Sequence, residues 1–185
     1  MSQFEFVIGM ISVILALSAA QLFVGVAELM QRRARVRFFL PQGIWIINLF
    51  MIIFIHWWSL WDFRDLSWNF AMFFYSLLGP SLMFFAATTI SPRDQSAETI
   101  DLMDHFMNIR QFFLSVFIVM LVLMTFDGPL FGTEEPLNPL RATQLFLFVL
   151  AVWGLVSKKP RVHLAIALAV LAAVFAVAII RFLPG

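Results

Sequence analysis

The sequence predicts an all-α integral membrane protein, a bundle of about six transmembrane helices, and three observations lead to that fold class. Hydrophobic residues make up 62% of the 185 residues and charged residues only 12%, against about 45–50% and about 25% in soluble domains. Most apolar runs have the length, roughly 17–25 residues, that crosses a hydrocarbon core of about 30 Å. The basic residues collect in alternate loops. The lipid bilayer is therefore the predicted partner, and no nucleic-acid partner is expected.

Six apolar segments give the predicted spans in chain order. They are residues 4–30, 38–61, 68–90, 111–126, 142–157 and 162–183. The fourth and fifth are near or below the usual minimum, so each is predicted to be either a short crossing or a partly re-entrant element. The first has no positively charged stretch before it, which is typical of a retained helix and not of a removable signal. No linker divides residues 1–185, so a single domain is expected.

The loop charges predict which side of the membrane each end of the bundle faces, because cytoplasmic loops carry an excess of Lys and Arg. Placing the arginine-rich loop after the first span in the cytoplasm puts nine of the twelve basic residues there: Arg32, Arg33, Arg35, Arg37, Arg93, Arg110, Lys158, Lys159 and Arg161. Both termini then face outwards. The short loops and the lack of a eukaryotic targeting signal favour a bacterial cytoplasmic (inner) membrane.

The connection between the third and fourth spans has the pattern of an amphipathic helix. Ser91, Pro92 and Asp94 resemble a helix start, with a capping side chain, proline at the first helical position and an acid in the first turn. Apolar residues then recur at helical spacing: Ile100, Met103, Phe106 and Met107. The sequence therefore predicts a cytoplasmic helix that lies along the membrane interface before the fourth span begins.

Polar residues inside the spans are energetically costly, so they are the first candidates for function. The candidate transport path or polar core consists of Ser18, Gln21, Glu28, Asn48 and Ser76. Those on the first span share one helical face, which runs from mid-membrane to the cytoplasmic end. Glu28 also has a structural interpretation, in which it pairs with Arg32 one turn later or reaches the nearby interface.

The outer end of the second span carries a histidine among aromatic residues. His56 is a candidate pH-sensing or cation–π group, with Asp62 or Asp65 as its partner. The tryptophans around it form a predicted interfacial aromatic belt: Trp57, Trp58, Trp61 and Trp68. Anchoring at the interface is the simpler interpretation, because tryptophan is enriched at that depth.

Two further features concern helix shape and packing. Gly79 and Pro80 predict a kink near the middle of the third span, where proline frees a backbone carbonyl. The last span carries a stripe of small residues that predicts a packing face, towards either another helix of the chain or a second protomer. The stripe consists of Ala165, Ala169, Ala172 and Ala176.

Several classes of cofactor site are not expected. The chain has no cysteine, which excludes disulfides, thiolate metal ligands and thiol redox relays. His56, His105 and His163 are predicted at the outer end, in the cytoplasmic connection and near the inner end, so they do not form a haem or metal site. No hydrolase or nucleotide-binding motif is present. The sequence therefore predicts no metal and no cofactor.

These patterns leave three hypotheses for function. The leading one is a non-enzymatic helical-bundle subunit that associates with itself or another membrane protein through its fifth or sixth span. The alternative is a small transporter or channel for a proton, cation or small solute that uses a polar path along spans one to three. An enzyme acting on a lipid would need a nucleophile and base in reach of each other, and no spacing in the sequence supplies such a pair.

Overall fold

A computed structural model describes residues 2–92, 99–131 and 139–182, and within them the chain forms six α-helices. They are α1 (Gln3–Gln31), α2 (Leu40–Ser59), α3 (Phe70–Ile90), α4 (Leu102–Phe131), α5 (Pro139–Val156) and α6 (Pro160–Phe182). Short 3-10 turns at Arg33–Arg35 and Leu60–Phe63 follow α1 and α2. The two-residue strands β1 (Val36–Arg37) and β2 (Ile100–Asp101) pair in parallel. The all-α prediction is confirmed.

Five of the described helices are long and apolar enough to cross a membrane, and the shorter apolar stretch Arg141–Val156 of α5 is the exception. The helix starts follow from local chemistry. Ser2 and Glu5 form a reciprocal capping box at α1, because each side chain bonds the other residue's backbone N–H. The Asn69 side chain accepts a hydrogen bond from the Met72 N–H, 2.9 Å away, at α3. Pro41 occupies the first turn of α2, where its missing N–H costs nothing.

The prediction of a separate interfacial helix before the fourth span is wrong. The segment forms the first turns of α4, which runs without a break for 30 residues. Of the predicted apolar face, Phe106 is buried inside the bundle, Ile100 and Met107 are half-buried and Met103 is 42% exposed, so the face is divided between the bundle interior and its surface. Asp101 sets the helix start by accepting hydrogen bonds from two backbone N–H groups. Ser91, the predicted start, instead ends α3, and Asp94 lies outside the described residues.

The described helices pack around α2, which contacts α1, α3, α4 and α6. Further contacts join α1 to α3, α3 to α4, α4 to α5 and α5 to α6. The centre of the packing is Trp45 of α2, which is fully buried. Its indole meets the rings of Phe113 and Phe117 of α4 edge-on, at 5.0 and 5.1 Å between centroids, a geometry that aromatic pairs favour.

The connections after α1, α3 and α5 meet at one end of the bundle, here called the basic end. Val36 pairs with Ile100 there, and the Phe106 ring lies 5.6 Å from Phe39 and 5.3 Å from the His163 ring. The other end, here called the acidic end, brings together the turn after α2, the end of α4 and the start of α5. Phe63 packs against Phe131 at 5.1 Å.

The helices α1 and α3 approach each other closely near the basic end. A Cβ atom added to Gly25 of α1 would lie 2.4 Å from Oγ and 2.7 Å from Cβ of Ser91. Ser91 is buried, and its hydroxyl donates to the Ala87 carbonyl at 3.0 Å. The serine therefore has little room to move, and only glycine fits at residue 25 without displacing α3.

We expect Gly25→Ala to destabilise the protein by about 1–3 kcal/mol, because the added methyl group overpacks the contact between α1 and α3. The measurement is the midpoint of thermal unfolding of the purified protein in detergent micelles. Gly9→Ala is the matched control, since nothing lies within 4 Å of a Cβ atom at that position. Equal midpoints for the two variants would contradict the close approach of the helices.

Candidate functional site

A cavity of about 480 Å³ lies at the acidic end, between α2, α4, α5 and α6. Small-molecule sites in proteins typically have volumes of about 300–1,000 Å³, so this cavity has the size of such a site. We call it the acidic-end cavity. Its walls combine an apolar floor, contributed by the middle of the helices, with a polar mouth, contributed by helix ends.

The polar mouth is formed by six side chains: His56, Ser59, Asp62, Asp127, Thr143 and Gln144. The first three follow one another at intervals of three residues along α2 and the 3-10 turn after it, so they share one face. Asp127 comes from the last turns of α4, and Thr143 and Gln144 come from the first turns of α5. Three separate elements therefore converge on one opening.

The apolar floor lies deeper in the bundle. Phe117 and Leu121 of α4, Leu147 of α5 and Val170 of α6 contribute to it, and all four side chains are buried. Phe117 also contacts Trp45, so one wall of the cavity is supported by the central aromatic cluster. A molecule that occupies the cavity thus meets an apolar surface at depth and hydrogen-bonding groups near the opening.

His56 separates this cavity from a smaller one of about 40 Å³ that also reaches Asp127, Ser76 and Gly79. The imidazole Cε1 atom lies 3.9 Å from the position that a Cβ atom of Gly79 would take. A methyl group at residue 79 would therefore touch the histidine ring at an ordinary van der Waals distance. The two cavities share His56 as a common wall.

Two buried polar atoms at the acidic-end cavity have no hydrogen-bond partner within the described residues. They are Nε2 of His56 and Oε1 of Gln144. An unsatisfied buried polar group costs about 1–3 kcal/mol, so both atoms favour a bound molecule that can bond to them. The Asp62, Asp127 and Thr143 side chains each have a contact of their own within the protein.

The surroundings of Asp127 are polar on the side of α3. Tyr75 and Asp127 both line the smaller cavity, and the Tyr75 hydroxyl donates to the Leu123 carbonyl at 2.5 Å. On the side of α5, the Arg141 Nη1 atom donates to the backbone carbonyl of Thr125. These bonds connect the ends of α3, α4 and α5 around the opening.

Ser59 and His56 are close in the lining but are not bonded to each other through their side chains. Ser59 donates its hydroxyl hydrogen to the backbone carbonyl of His56 at 2.8 Å, and not to the imidazole. The serine oxygen is therefore not arranged for activation by the histidine. Within the described residues no group of three or more His, Cys, Asp or Glu side chains could hold a metal ion.

The structure does not bring the predicted transport path together. Ser18 is buried and donates to the Ile14 carbonyl of its own helix, at 2.8 Å. Asn48 is buried on the other side of the bundle, where its Nδ2 atom donates to the Ala167 carbonyl of α6 at 2.9 Å. Gln21 and Glu28 are half-buried on α1. Neither cavity is lined by any of these four residues, and Ser76 lines only the smaller one.

The predicted groups at the outer end of α2 separate into two sets. His56 and Asp62 line the acidic-end cavity. Asp65 is exposed, and its Oδ2 atom lies 3.3 Å from the Nε atom of Arg64. Three tryptophans of the predicted belt are on the bundle surface: Trp57, Trp58 and Trp61, at 36%, 69% and 62% exposure. Trp68 differs, because it is buried against Phe131 with 5.8 Å between ring centroids.

The predicted kink and packing stripe are placed as follows. Pro80 lies inside α3, which continues as one helix on both sides of it, and Gly79 faces His56. Ala165, Ala172 and Ala176 are exposed and Ala169 is half-buried. The inward face of α6 consists instead of Ile166, Ala167, Val170 and Val174. The alanine stripe therefore faces away from the bundle.

Sequence reasoning missed Gln42, a buried polar side chain at the basic end whose Nε2 atom has two neighbours and whose Oε1 atom has no partner within the described residues. It is fully buried, and its Nε2 atom lies 2.8 Å from the Ile90 carbonyl and 3.3 Å from Nδ1 of His105. One side chain thus joins α2, α3 and α4. A signal was present, because Gln42 precedes Trp45 and Asn48 at steps of three residues and shares their helical face.

Sequence reasoning also missed the contribution of α5 to the cavity. The prediction of the fifth span depends only on its hydropathy, so it does not include Thr143 and Gln144 as site residues. Arg141 and Gln144 are three residues apart at the start of α5, a spacing that places both on one face. That pair was the available signal.

No family model, curated protein or solved structure matches this chain.

Proposed function

We propose that this chain is an integral membrane protein that binds a small amphipathic molecule in the acidic-end cavity. The observation that carries the proposal is the cavity itself, with about 480 Å³ of space, an apolar floor and a polar mouth. Sites for small molecules are concave, mostly apolar and furnished with a few orienting polar groups. The unpartnered atoms of His56 and Gln144 supply such groups.

The proposed setting is a bacterial cytoplasmic membrane with the basic end inside. The support is the concentration of arginine and lysine around the connections after α1 and α5, because cytoplasmic loops carry this excess. The outward surfaces of the helices carry many large exposed apolar side chains, including Phe23, Val149 and Ile179, which suits contact with lipid. With this orientation the cavity opens towards the outer face.

The orientation predicts opposite labelling of cysteines placed at the two ends. The chain has no cysteine of its own, and Ser67 at the acidic end and Ala34 at the basic end are both exposed. In intact cells a membrane-impermeant maleimide should label Ser67→Cys, and it should label Ala34→Cys only after the membrane is permeabilised. The reverse pattern would show that the basic end faces outwards.

Binding can be tested with three probes that share a phenylbutyl body: 4-phenylbutylamine, 4-phenylbutanol and 5-phenylpentanoate. We expect at least one of them to bind saturably, at one site per chain, to the protein in nanodiscs. Equilibrium dialysis measures the binding, and protein-free nanodiscs provide the background from partition into lipid.

The site is tested by filling the cavity. Ala173 of α6 lines it, whereas the neighbouring Ala172 is exposed on the outside of the helix. Ala173→Trp should weaken binding of the tightest probe at least about tenfold by taking up the space, and Ala172→Trp should leave it unchanged. The proposed function fails if no probe saturates, or if the two variants weaken binding equally.

A second candidate function is association with a second copy or another membrane protein through α6. The outward position of the alanine stripe favours it, because small residues on a lipid-facing surface let another helix approach closely. Such a protein would act as a non-enzymatic subunit. This role is compatible with ligand binding, since the stripe and the cavity are on different faces of α6.

Association predicts a disulfide between copies of Ala172→Cys when native membranes are mildly oxidised. Val13→Cys on α1 is the control, because Val13 is 58% exposed on a helix that lies away from α6. A covalent dimer for the first variant and a monomer for the second is the expected result. A chain that remains monomeric and copurifies with no other protein would exclude this second function.

A further inference from the structure

We infer that the molecule held by the acidic-end cavity carries a protonated amine at its head and an apolar body behind it. This inference rests on the proposed binding function and names the class of ligand. It follows from the kinds of hydrogen-bonding atoms that line the mouth, from the charges among them and from the depth of the apolar floor.

Three side chains of the lining offer the ligand oxygen atoms that accept hydrogen bonds, and the unpartnered Nε2 atom of His56 accepts or donates according to the tautomer. Asp62 and Asp127 contribute carboxylates, and the Gln144 Oε1 atom is buried with no partner within the described residues. Carboxylate and amide oxygens only accept hydrogen bonds, whereas an ammonium group has up to three N–H donors and no acceptor. A protonated amine is thus the head group that complements these three side chains.

The charges of the lining point to the same class. Among the described residues that line it, two are carboxylates and none is Lys or Arg. Arg141 of α5 lies outside the lining, where its Nη1 atom donates to the Thr125 carbonyl and its Nε and Nη2 atoms are buried with no partner within the described residues. One cation near two carboxylates leaves this end of the cavity with a net negative charge. A carboxylate or phosphate on the ligand would meet like charges at short range, which is unfavourable in a partly buried site. A cationic head group is attracted to both.

The contacts that the carboxylates already make are compatible with this ligand. Asp62 and Asp127 each have a partner in the protein, and Tyr75 lines the smaller cavity together with Asp127. Each ionised carboxylate has about four acceptor positions, so a contact within the protein does not use up its capacity. Those contacts hold the carboxylates in place for the ammonium group.

The apolar floor sets the form of the rest of the ligand. Phe117, Leu121 and Leu147 lie deeper in the bundle than the mouth, and none of them offers a hydrogen bond. An amine with a hydrophobic body would place that body against these side chains, while its head stays near Asp62 at the exposed rim. A small hydrated cation would leave the floor empty, so an amphipathic amine fits better than a metal cation.

The three phenylbutyl probes test the class of head group, because they differ only in their amine, alcohol or carboxylate. In nanodiscs at neutral pH we expect the amine to bind at least about tenfold more tightly than the alcohol, and the carboxylate to bind most weakly. Asp127→Asn should weaken amine binding about tenfold and leave alcohol binding nearly unchanged, because it removes charge and keeps shape. Asp65→Asn is the control, since Asp65 is exposed outside the lining.

Asp62→Asn provides a second variant in case Asp127→Asn does not fold, because Asp62 is exposed at the rim and its replacement disturbs little packing. Asp62→Asn should also weaken binding of the amine and leave binding of the alcohol nearly unchanged. If the alcohol or the carboxylate binds as tightly as the amine, or if both asparagine variants keep the amine's affinity, the inference is overturned and the proposed binding function stands. If none of the probes binds saturably, both are overturned.

Discussion

The packing of α2 against its neighbours is the constraint on which the rest of the bundle depends. In a bilayer the hydrophobic effect does not drive helices together, because lipid is as apolar as the side chains, so close packing and interhelical hydrogen bonds must do so. Trp45 supplies the first, by filling the space between α2 and α4. Asn48 supplies the second, with its bond to the Ala167 carbonyl of α6. The acidic-end cavity lies next to both contacts, because Phe117 of α4 and Val170 of α6 line it.

The fold was largely predictable from the sequence. The errors of that prediction have a physical cause. Hydropathy reports how long an apolar segment is, and that was enough to place all six helices. It does not report which apolar surface a segment meets. The residues around Phe106 have one apolar face, and such a face suits a membrane interface as well as a neighbouring helix. Only the contacts with Phe39 and His163 decide between the two.

The candidate site was only partly predictable. His56 and Asp62 were singled out because polar residues are conspicuous at the end of an apolar span. Gln144 and Asp127 belong to other helices, and their meeting with His56 depends on how far α4 and α5 stand from α2. A cavity forms where the side chains of several helices leave space between them, so the sequence of one segment cannot predict it. The α1 residues of the predicted polar path, Ser18, Gln21 and Glu28, line neither cavity.

The bonds of the basic end have a mechanical consequence. There Gln42 joins three helices, β1 pairs with β2, and the Arg37 guanidinium lies 3.6 Å from the Asp101 carboxylate. The opposite end holds the 480 Å³ of empty space. At the acidic end the bond of Arg141 to the Thr125 carbonyl joins only α4 to α5. Loss of the Gln42 side chain would therefore remove bonds of α2 to both α3 and α4, whereas loss of Arg141 would affect one pair of helices.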